Sequence, residues 1–400
     1  MKTVGIAAEY NPFHRGHAYQ LQECRRMAGE DAAVLAVMSG DFVQRGEAAV
    51  FSKFARAEAA CRAGADLVVE LPLPWSLASA EGFAEGAVGL MQALHADAVS
   101  FGTETGDPAL LEELAALFSR PDFPQQIREQ MRLHPNRSFP AARQGLAEEL
   151  LGKKLPVLQQ PNSILAVEYL KAIRRHGWDL RPLPVLRKGS GHDDPNGSDM
   201  PSASFLRAEL QGDRWPGAAL PPEAEAVFRR ERDRGREVTD PERQALCLLS
   251  RLRFLPEEAF RDLPDARDGA GDRLYAALRS TCDVDSFLQA ASSRRFPLAR
   301  MRRMALCATL GLREADSAGL PAYARVLAFN GKGRALLHEL SGTADVPLLT
   351  RAAQVKRLSG RAVRDFELGA RAHDAYTLLY PAESERICGK DWRTGPAVCS

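Results

Sequence analysis

Thr3-Val-Gly-Ile-Ala-Ala-Glu-Tyr-Asn-Pro-Phe-His-Arg-Gly-His17 is the stretch whose reading decides the fold. Its apolar start reads as a buried strand and Glu9-Tyr-Asn-Pro12 as a turn. Ala18-Tyr-Gln-Leu-Gln-Glu-Cys-Arg-Arg-Met27 follows, with apolar or small residues at 21, 24, 27 and 28, a helical spacing. Strand, turn, His-x-Gly-His and helix make a phosphate-binding arrangement. The free N–H groups and the dipole of a helix N-terminus attract anions. His14 and His17 are three apart, so both can face one ligand, and Gly16 lets the backbone come close to it.

Moving outward, Ala32-Ala-Val-Leu-Ala-Val-Met38 is continuously apolar, the pattern of a parallel strand buried on both faces. It ends in Ser39-Gly-Asp-Phe-Val-Gln-Arg-Gly-Glu47, a polar loop bracketed by glycines. Ser52 to Ala63 reads as a helix and Asp66-Leu-Val-Val-Glu70 as a third strand, which runs into a proline-fixed loop, Leu71 to Ser76. Ser79 to Leu94 reads as an Ala-rich helix and Ala98-Val-Ser-Phe101 as a fourth strand ending at Gly102-Thr-Glu104. Residues 108–150 read as a helical insertion. Pro161 to Ala172 reads as a helix with Asn162 at its start, where an N-cap is the plain role. Arg181-Pro-Leu-Pro-Val-Leu186 is a fifth strand that delivers Arg187 and Lys188. Pro201-Ser-Ala-Ser-Phe-Leu-Arg207 opens another helix, with Ser202 and Ser204 as ready caps and Arg207 one turn on. This rhythm predicts an α/β fold with a doubly wound parallel sheet and right-handed crossovers. Every unusual loop falls at a strand's carboxyl end, where such sheets bind ligands.

The bulk composition is globular and close to neutral. The 400 residues are 45% hydrophobic and 26% charged with net charge +1, so no global field marks a nucleic-acid binder. That length predicts two domains. Nine of the 53 basic side chains are Lys and the rest Arg, a bias that suits bidentate phosphate contact and that a GC-rich genome would also give. Seven scattered cysteines without a C-x-x-C pair fit reduced thiols and argue against a disulfide framework or a zinc site. With no signal pattern at Met1-Lys2 and no membrane-length apolar run, a cytoplasmic protein without a membrane partner is expected.

Near residue 212, the Pro- and Gly-rich Gln211 to Pro222 reads as a linker, and the chain beyond it is mainly helical. The expected division is therefore 1–212, a nucleotide-binding domain with the 108–150 insertion, and 213–400, a mainly helical domain whose C-terminal part docks on the first. Val346-Pro-Leu-Leu-Thr350 is a candidate docking strand. Ser292-Ser-Arg-Arg-Phe-Pro-Leu-Ala-Arg-Met-Arg-Arg303 holds five Arg and no acid, a candidate phosphate surface through Arg294, Arg295, Arg300, Arg302 and Arg303. Phe329-Asn-Gly-Lys-Gly-Arg334 has the form of a tight cationic turn that could bring Lys332 to RNA, and it lacks P-loop spacing.

His-x-Gly-His after the first strand and Ser-x-Ser-x-x-Arg at 202–207 resemble nucleotidyltransferases and class I tRNA synthetases of the HUP type. Taken with Met38 to Glu47, Val69-Glu-Leu-Pro72, Phe101-Gly-Thr-Glu104, Asn162 with Glu168-Tyr-Leu-Lys171, and Phe329 to Arg334, the chain resembles the bacterial tRNA(Met) cytidine acetate ligase family almost end to end. It departs from that family's pattern at Arg15, Asp41 and Ala48. The resemblance implies a HUP-type sheet followed by a helical domain. It implies ATP as substrate with Mg²⁺ accompanying it, acetyl-adenylate as intermediate, and N4-acetylation of the wobble cytidine of elongator tRNA-Met. It further implies ATP contacts from Ala7, Ala8, Glu9, Tyr10, Asn11, Pro12, Phe13, His14, Gly16, His17, Gly102, Asn162, Arg187, Lys188, Ser202, Ser204 and Arg207.

In chemical terms, His14, His17, Arg187, Lys188 and Arg207 would be positive donors around a reaction driven by positioning and charge stabilisation. No nucleophilic side chain is needed, and no protein ligand for the metal stands out. Gln44, Arg45 and Glu47 read equally as lip residues or as loop structure, and Glu104 as site or structure. Nothing in the sequence fixes an oligomeric state. The rival functions are a small-molecule nucleotidyltransferase, which leaves the Arg-rich half without a purpose, and a non-catalytic RNA-binding protein with a relict pocket.

Overall fold

The computed structural model describes residues 1–134, 137–187, 200–358 and 360–400. All five expected strands form: β1 (Thr3–Ala8), β2 (Ala33–Ser39), β3 (Leu67–Leu71), β4 (Ala98–Thr103) and β5 (Arg181–Leu186). Three more come from the far end of the chain: β6 (Ala324–Phe329), β7 (Leu348–Leu349) and β8 (Ala397–Val398). The described sheet runs β8-β6-β3-β2-β1-β4-β5, with β7 also beside β6. β1 through β5 are mutually parallel, Thr3 lying opposite Ala33 and Ala8 opposite Met38. β6 joins antiparallel to β3, Leu67 opposite Phe329 and Glu70 opposite Arg325.

Alternation along β2 shows why its run is apolar throughout. Ala33, Leu35 and Val37 enter one core with the helices Ala80–Ala93 and Pro161–His176. Val34, Ala36 and Met38 enter the opposite core with the helices Arg15–Ala28 and Lys53–Arg62. A strand buried on both faces needs apolar residues at both parities. Residues 108–151 hold three helices, Pro108–Phe118, Phe123–Leu133 and Phe139–Leu151, whose Leu111, Leu114, Ile127 and Leu146 extend the first of these cores.

Gln211 to Pro222 is packed, not a loose tether. Ala219 and Leu220 are buried in the second core, and the next helix, Pro222–Asp233, covers it through Val227 and Phe228, whose ring stacks on Phe51 at 4.5 Å. Helices from Pro241 onward build a third core around Leu252, Phe260, Phe287 and Tyr376, which also takes in Phe42, Leu73 and Leu77 from the first half. The candidate docking strand is realised at Leu348–Leu349, which reaches the sheet by pairing with β6.

Arg325 lies inside β6 and is buried, so its charge needs a partner there. Asp391 supplies one at 2.6 Å and also pairs with the buried Lys53 at 2.9 Å, while Lys53 reaches Glu70 at 2.7 Å. The last turns of the chain are thereby bolted to the centre of the sheet. Among the described residues no helix is long and apolar enough to cross a membrane.

Candidate active site

At the end of β1 the backbone turns sharply. Tyr10 takes a left-handed conformation at φ 48°, and the Asn11–Pro12 peptide is cis. Phe13 is fully buried, and His14, in extended conformation, caps the helix Arg15–Ala28. The two histidines form a reciprocal cap: His14 Nδ1 accepts from the Gly16 N–H at 3.0 Å, and His17 Nδ1 accepts from the His14 N–H at 3.2 Å. Their rings stack at 3.8 Å, with Tyr10 edge-on to His17 at 4.9 Å. A Cβ on residue 16 would lie 2.9 Å from His14 Cε1, so glycine is needed there to seat the ring.

This cap sets the chemistry. An imidazole whose Nδ1 accepts a hydrogen bond carries its proton on Nε2, when neutral, and offers that N–H as a donor. Burial, then the charges of Arg187 and Arg207, push the pKa of His14 down to about 3. Burial, then His14 and Arg187, holds His17 well below the usual imidazole range. The expectation of positive donors is therefore corrected for both histidines: they are neutral N–H donors, and the cationic charge comes from arginine.

Arg207 reaches the same turn from the helix Ala203–Gln211, which Ser202 caps by accepting from the Phe205 N–H at 3.2 Å. Its Nη1 donates to the Asn11 carbonyl at 3.0 Å and its Nη2 to Ser204 Oγ at 3.4 Å, and its Nε lies 3.2 Å from Glu47. Arg45 also donates to Ser204 Oγ, at 3.2 Å. Arg45 and Glu47 belong to a small hairpin, Phe42–Val43 paired with Glu47–Ala48, whose Gln44 N–H holds the buried Glu9 carboxylate at 2.9 Å. Burial raises the pKa of Glu9, in part against the charge of Arg45.

Arg187 leaves β5 with its N–H on the Thr103 carbonyl at 3.0 Å, and a Cβ on Gly102 would come within 3.4 Å of its Cγ. Glu104 resolves toward structure: its carboxylate accepts from Asn162 Nδ2 at 2.6 Å and from the Ser163 N–H and hydroxyl at 2.9 and 2.7 Å, capping the helix Pro161–His176. Burial pushes its pKa up, and the hydrogen bonds from Asn162 and Ser163 more than offset that. Thus Ala7, Ala8, the turn 9–17, Gly102, Asn162, Arg187, Ser202, Ser204 and Arg207 sit on the β1, β4 and β5 carboxyl ends or on the helices that meet them. Lys188 lies outside the described residues.

The arginine stretch is sorted by the fold. Arg294, Arg295 and Arg302 are exposed. Arg300 donates to the Asp265 carbonyl at 2.6 Å, and the Arg303 side chain is only 13% exposed, 3.8 Å from Asp265. The expected five-arginine surface is corrected to three, because Arg300 and Arg303 hold the helix Leu298–Leu310 in place. The hairpin rests on that helix: a Cβ on Gly46 would lie 2.7 Å from the Arg303 nitrogen. Beside the hairpin opens a cavity of about 1370 Å³ whose lining includes Glu47, Gln211, Arg302 and Arg371.

Lys332 is placed away from all of this. It donates to the Glu30 carbonyl at 2.9 Å, and Asn330 caps the helix Gly331–Leu340 while bonding Asp66 at 2.9 Å. Because β6 runs antiparallel to β3, this turn lies at the amino ends of the parallel strands, away from the histidines. A Cβ on Gly333 would strike the Asp66 carbonyl, so the glycine pattern there serves close packing.

Missed from sequence was a buried polar frame under the hairpin. Asp41 accepts from the Lys53 N–H at 2.8 Å and pairs with His373 at 2.8 Å. Although burial raises the Asp41 pKa, His373 and Lys53 draw it well below the carboxylate range. Asp41 and His373 stand 332 positions apart, and no local pattern could have announced the pair.

The profile of the HIGH Nucleotidyl Transferase family matches residues 1–391. The tRNA(Met) cytidine acetate ligase of Syntrophomonas wolfei is 33% identical to this chain, covering 99% of each. That of Syntrophotalea carbinolica is 36% identical, covering 99% of this chain and 98% of the relative. The crystal structure of Thermotoga maritima TmcAL without ligand superimposes with a TM-score of 0.92 at 29% identity, over 100% of this chain and 99% of that one. The same protein bound with alpha-thio ATP gives 0.90 at 29% identity and the same coverage.

Proposed function

The chain belongs to the HIGH nucleotidyl transferase family, among the tRNA(Met) cytidine acetate ligases, and on that premise we propose that it joins acetate to a tRNA cytidine at the expense of ATP. An acetate oxygen attacks the α-phosphorus of ATP, the bond to the bridging oxygen breaks and pyrophosphate leaves. The N4 amine of the wobble cytidine of elongator tRNA-Met then attacks the acetyl carbon. The C–O bond to the phosphate breaks, AMP leaves and the amine gives up a proton.

The observation that carries the reading is the reciprocal histidine cap. With both Nδ1 atoms engaged by backbone N–H groups, two neutral Nε2–H donors stand side by side near the charges of Arg187 and Arg207. Neutral histidines donate to a triphosphate without having to be charged in a buried site, which burial opposes. Arg207 and Arg187 supply the field that stabilises charge on the leaving pyrophosphate, with Lys188 next to Arg187 in sequence. Ser202 and Ser204 add hydroxyl donors. The wall is Ala7, Ala8 and the turn Glu9 to Phe13 with Gly16, closed by Gly102 and Asn162. Among the described residues no three His, Cys, Asp or Glu groups converge as a metal cage. Mg²⁺ entering with ATP would be held chiefly by phosphate oxygens, which suits its preference for hard oxygen donors.

The tRNA lies on the helical half, its phosphates met by Arg294, Arg295 and Arg302, with the anticodon brought over the hairpin lip. Phosphate contacts of this kind position the RNA, and base contacts choose it. The splayed cytidine reaches the nucleotide past Glu47 and Arg45, as chemistry on a base in a loop requires. Such work places the protein in the cytoplasm, and its seven unpaired cysteines are at home there.

The test is direct. Incubation with ATP, labelled acetate and bulk tRNA should place label in tRNA only when ATP is present. Adenylylation of a small metabolite with no labelled tRNA would replace this reading by a small-molecule nucleotidyltransferase, and RNA binding without turnover by a non-catalytic one.

A further inference from the structure

The helix Lys53–Arg62 carries a second arginine problem that the chemistry above does not use. Arg56 is fully buried, the bulkiest side chain so enclosed among the described residues. A guanidinium without water must find other partners for its N–H groups or destabilise the fold. In most proteins a carboxylate fills that role. Here the fork is filled by backbone: Nε donates to the Phe51 carbonyl at 2.8 Å, Nη1 to the Glu9 carbonyl at 2.5 Å, and Nη2 to the carbonyls of Ser39, at 3.2 Å, and Gly40.

These four carbonyls are not a random set. Glu9 follows the last residue of β1, Ser39 is the last residue of β2 and Gly40 follows it. Where parallel strands diverge into their loops, carbonyls leave the ladder and lose their partners. Arg56 gathers those from two adjacent strands onto one rigid plane, together with Phe51 at the far end of the hairpin loop. The carboxylates of Asp41, Glu9 and Glu70 balance its charge from a distance, without bonding it. The same turn is pinned from the other side, where Arg207 holds the Asn11 carbonyl and the Val50 N–H holds Asn11 Oδ1 at 2.9 Å.

We propose that Arg56 is a positioning residue for the nucleotide: by fixing the loops after β1 and β2 to one another it places His14 and His17 against the hairpin, without itself touching substrate. The inference rests on the reading that those histidines hold the triphosphate. Arginine is required because its five N–H groups lie in a fixed plane. A lysine ammonium offers three donors at one point and can serve at most three of the four carbonyls.

Arg56→Lys keeps the buried charge. We expect it to melt cooperatively and bind tRNA with unchanged affinity. In acetate-dependent ATP–pyrophosphate exchange its KM for ATP should rise, or its turnover fall, by about tenfold or more, the size of effect a small misplacement of binding groups produces. A lowered melting temperature with unchanged exchange kinetics in the folded protein would reduce Arg56 to a structural residue and overturn the proposal. Equal loss of exchange and tRNA affinity would overturn it too.

A measurement on the unaltered chain guards against a variant that does not fold. On adding a non-hydrolysable ATP analogue, amide hydrogen exchange should slow in residues 9–17 and 39–52 together. Protection confined to 9–17 overturns the coupling. A response in neither segment removes the nucleotide from this turn, and the proposal falls with that reading instead of on its own account.

Discussion

In the turn after β1, two histidines three residues apart accept from the backbone N–H groups of Gly16 and His14 and leave identical donors free. In the stretch 292–303, five arginines that look equivalent along the chain divide into three exposed and two held against Asp265. The first arrangement is made by a single turn of helix, so the residues that define it also determine how it is used. The second is made by contacts from elsewhere, so charge alone says little about availability. A catalytic turn can be local, whereas a binding surface is whatever the tertiary fold leaves uncovered.

The sharpest way to break that comparison is His17→Ala. It removes one donor and the acceptor for the His14 N–H, and acetylation should fall by roughly 100-fold or more, as for loss of a preorganised donor, while tRNA affinity survives in a binding titration. Equal loss of both would show that the turn and the helical half do not divide the labour.

Next in size is Gly16→Ala, whose new methyl must displace the His14 ring. Turnover should drop by about tenfold with little change in tRNA affinity, and unaltered kinetics would mean that His14 need not sit where its cap puts it.

The arginines supply a matched pair. Arg303→Glu places a carboxylate in a mostly buried site near Asp265 and should cost about 3 kcal/mol in a denaturant titration. Arg302→Ala should leave stability unchanged and lower the slope of log affinity for tRNA against log salt by about one. If the two variants behaved alike in both measurements, the sorting of the stretch into inner and outer arginines would fail.

The last test is in pH dependence. The folded His14 binds its proton only near pH 3, whereas the unfolded chain binds it near the ordinary imidazole value. The unfolded state therefore takes up the proton first, and His14 contributes stability above about pH 6.5 that is lost as the pH falls toward 3. The stability curve of His14→Asn should be flatter over that window, and parallel curves would contradict a buried neutral ring.

Much of this is legible in the sequence, for physical reasons. β2 announces itself because a strand buried on both faces is apolar along its run, and His-x-Gly-His does because i and i+3 share one helix face. β6 reads as a cationic turn because Arg325 interrupts its apolar run and the asparagine and glycines come directly after. Its charge is tolerable only through Asp391 and Glu70, which neighbours in sequence do not reveal. Arg303 is hidden for a like reason. On a helical wheel it stands away from Met301, Met304 and Ala305 and should face water, but the Phe42–Ala48 hairpin lies over it. Arg56 in an alanine-rich helix looks like an ordinary surface residue until its four carbonyls are seen.

The late strands also bear on how the protein is made. Chain emerging from a ribosome folds from its amino end, and by residue 212 it holds all five parallel strands together with Lys53 and Glu70. The partners of Lys53 and of the flank of β3 are Asp391 and β6, which emerge only well after residue 212. Until then an apolar sheet edge and a buried ammonium stand without their full complement. The nucleotide pocket should therefore mature only after residue 391 has emerged, and translation products cut short of that residue should be recognised as unfolded and cleared, not persist as half-active enzymes.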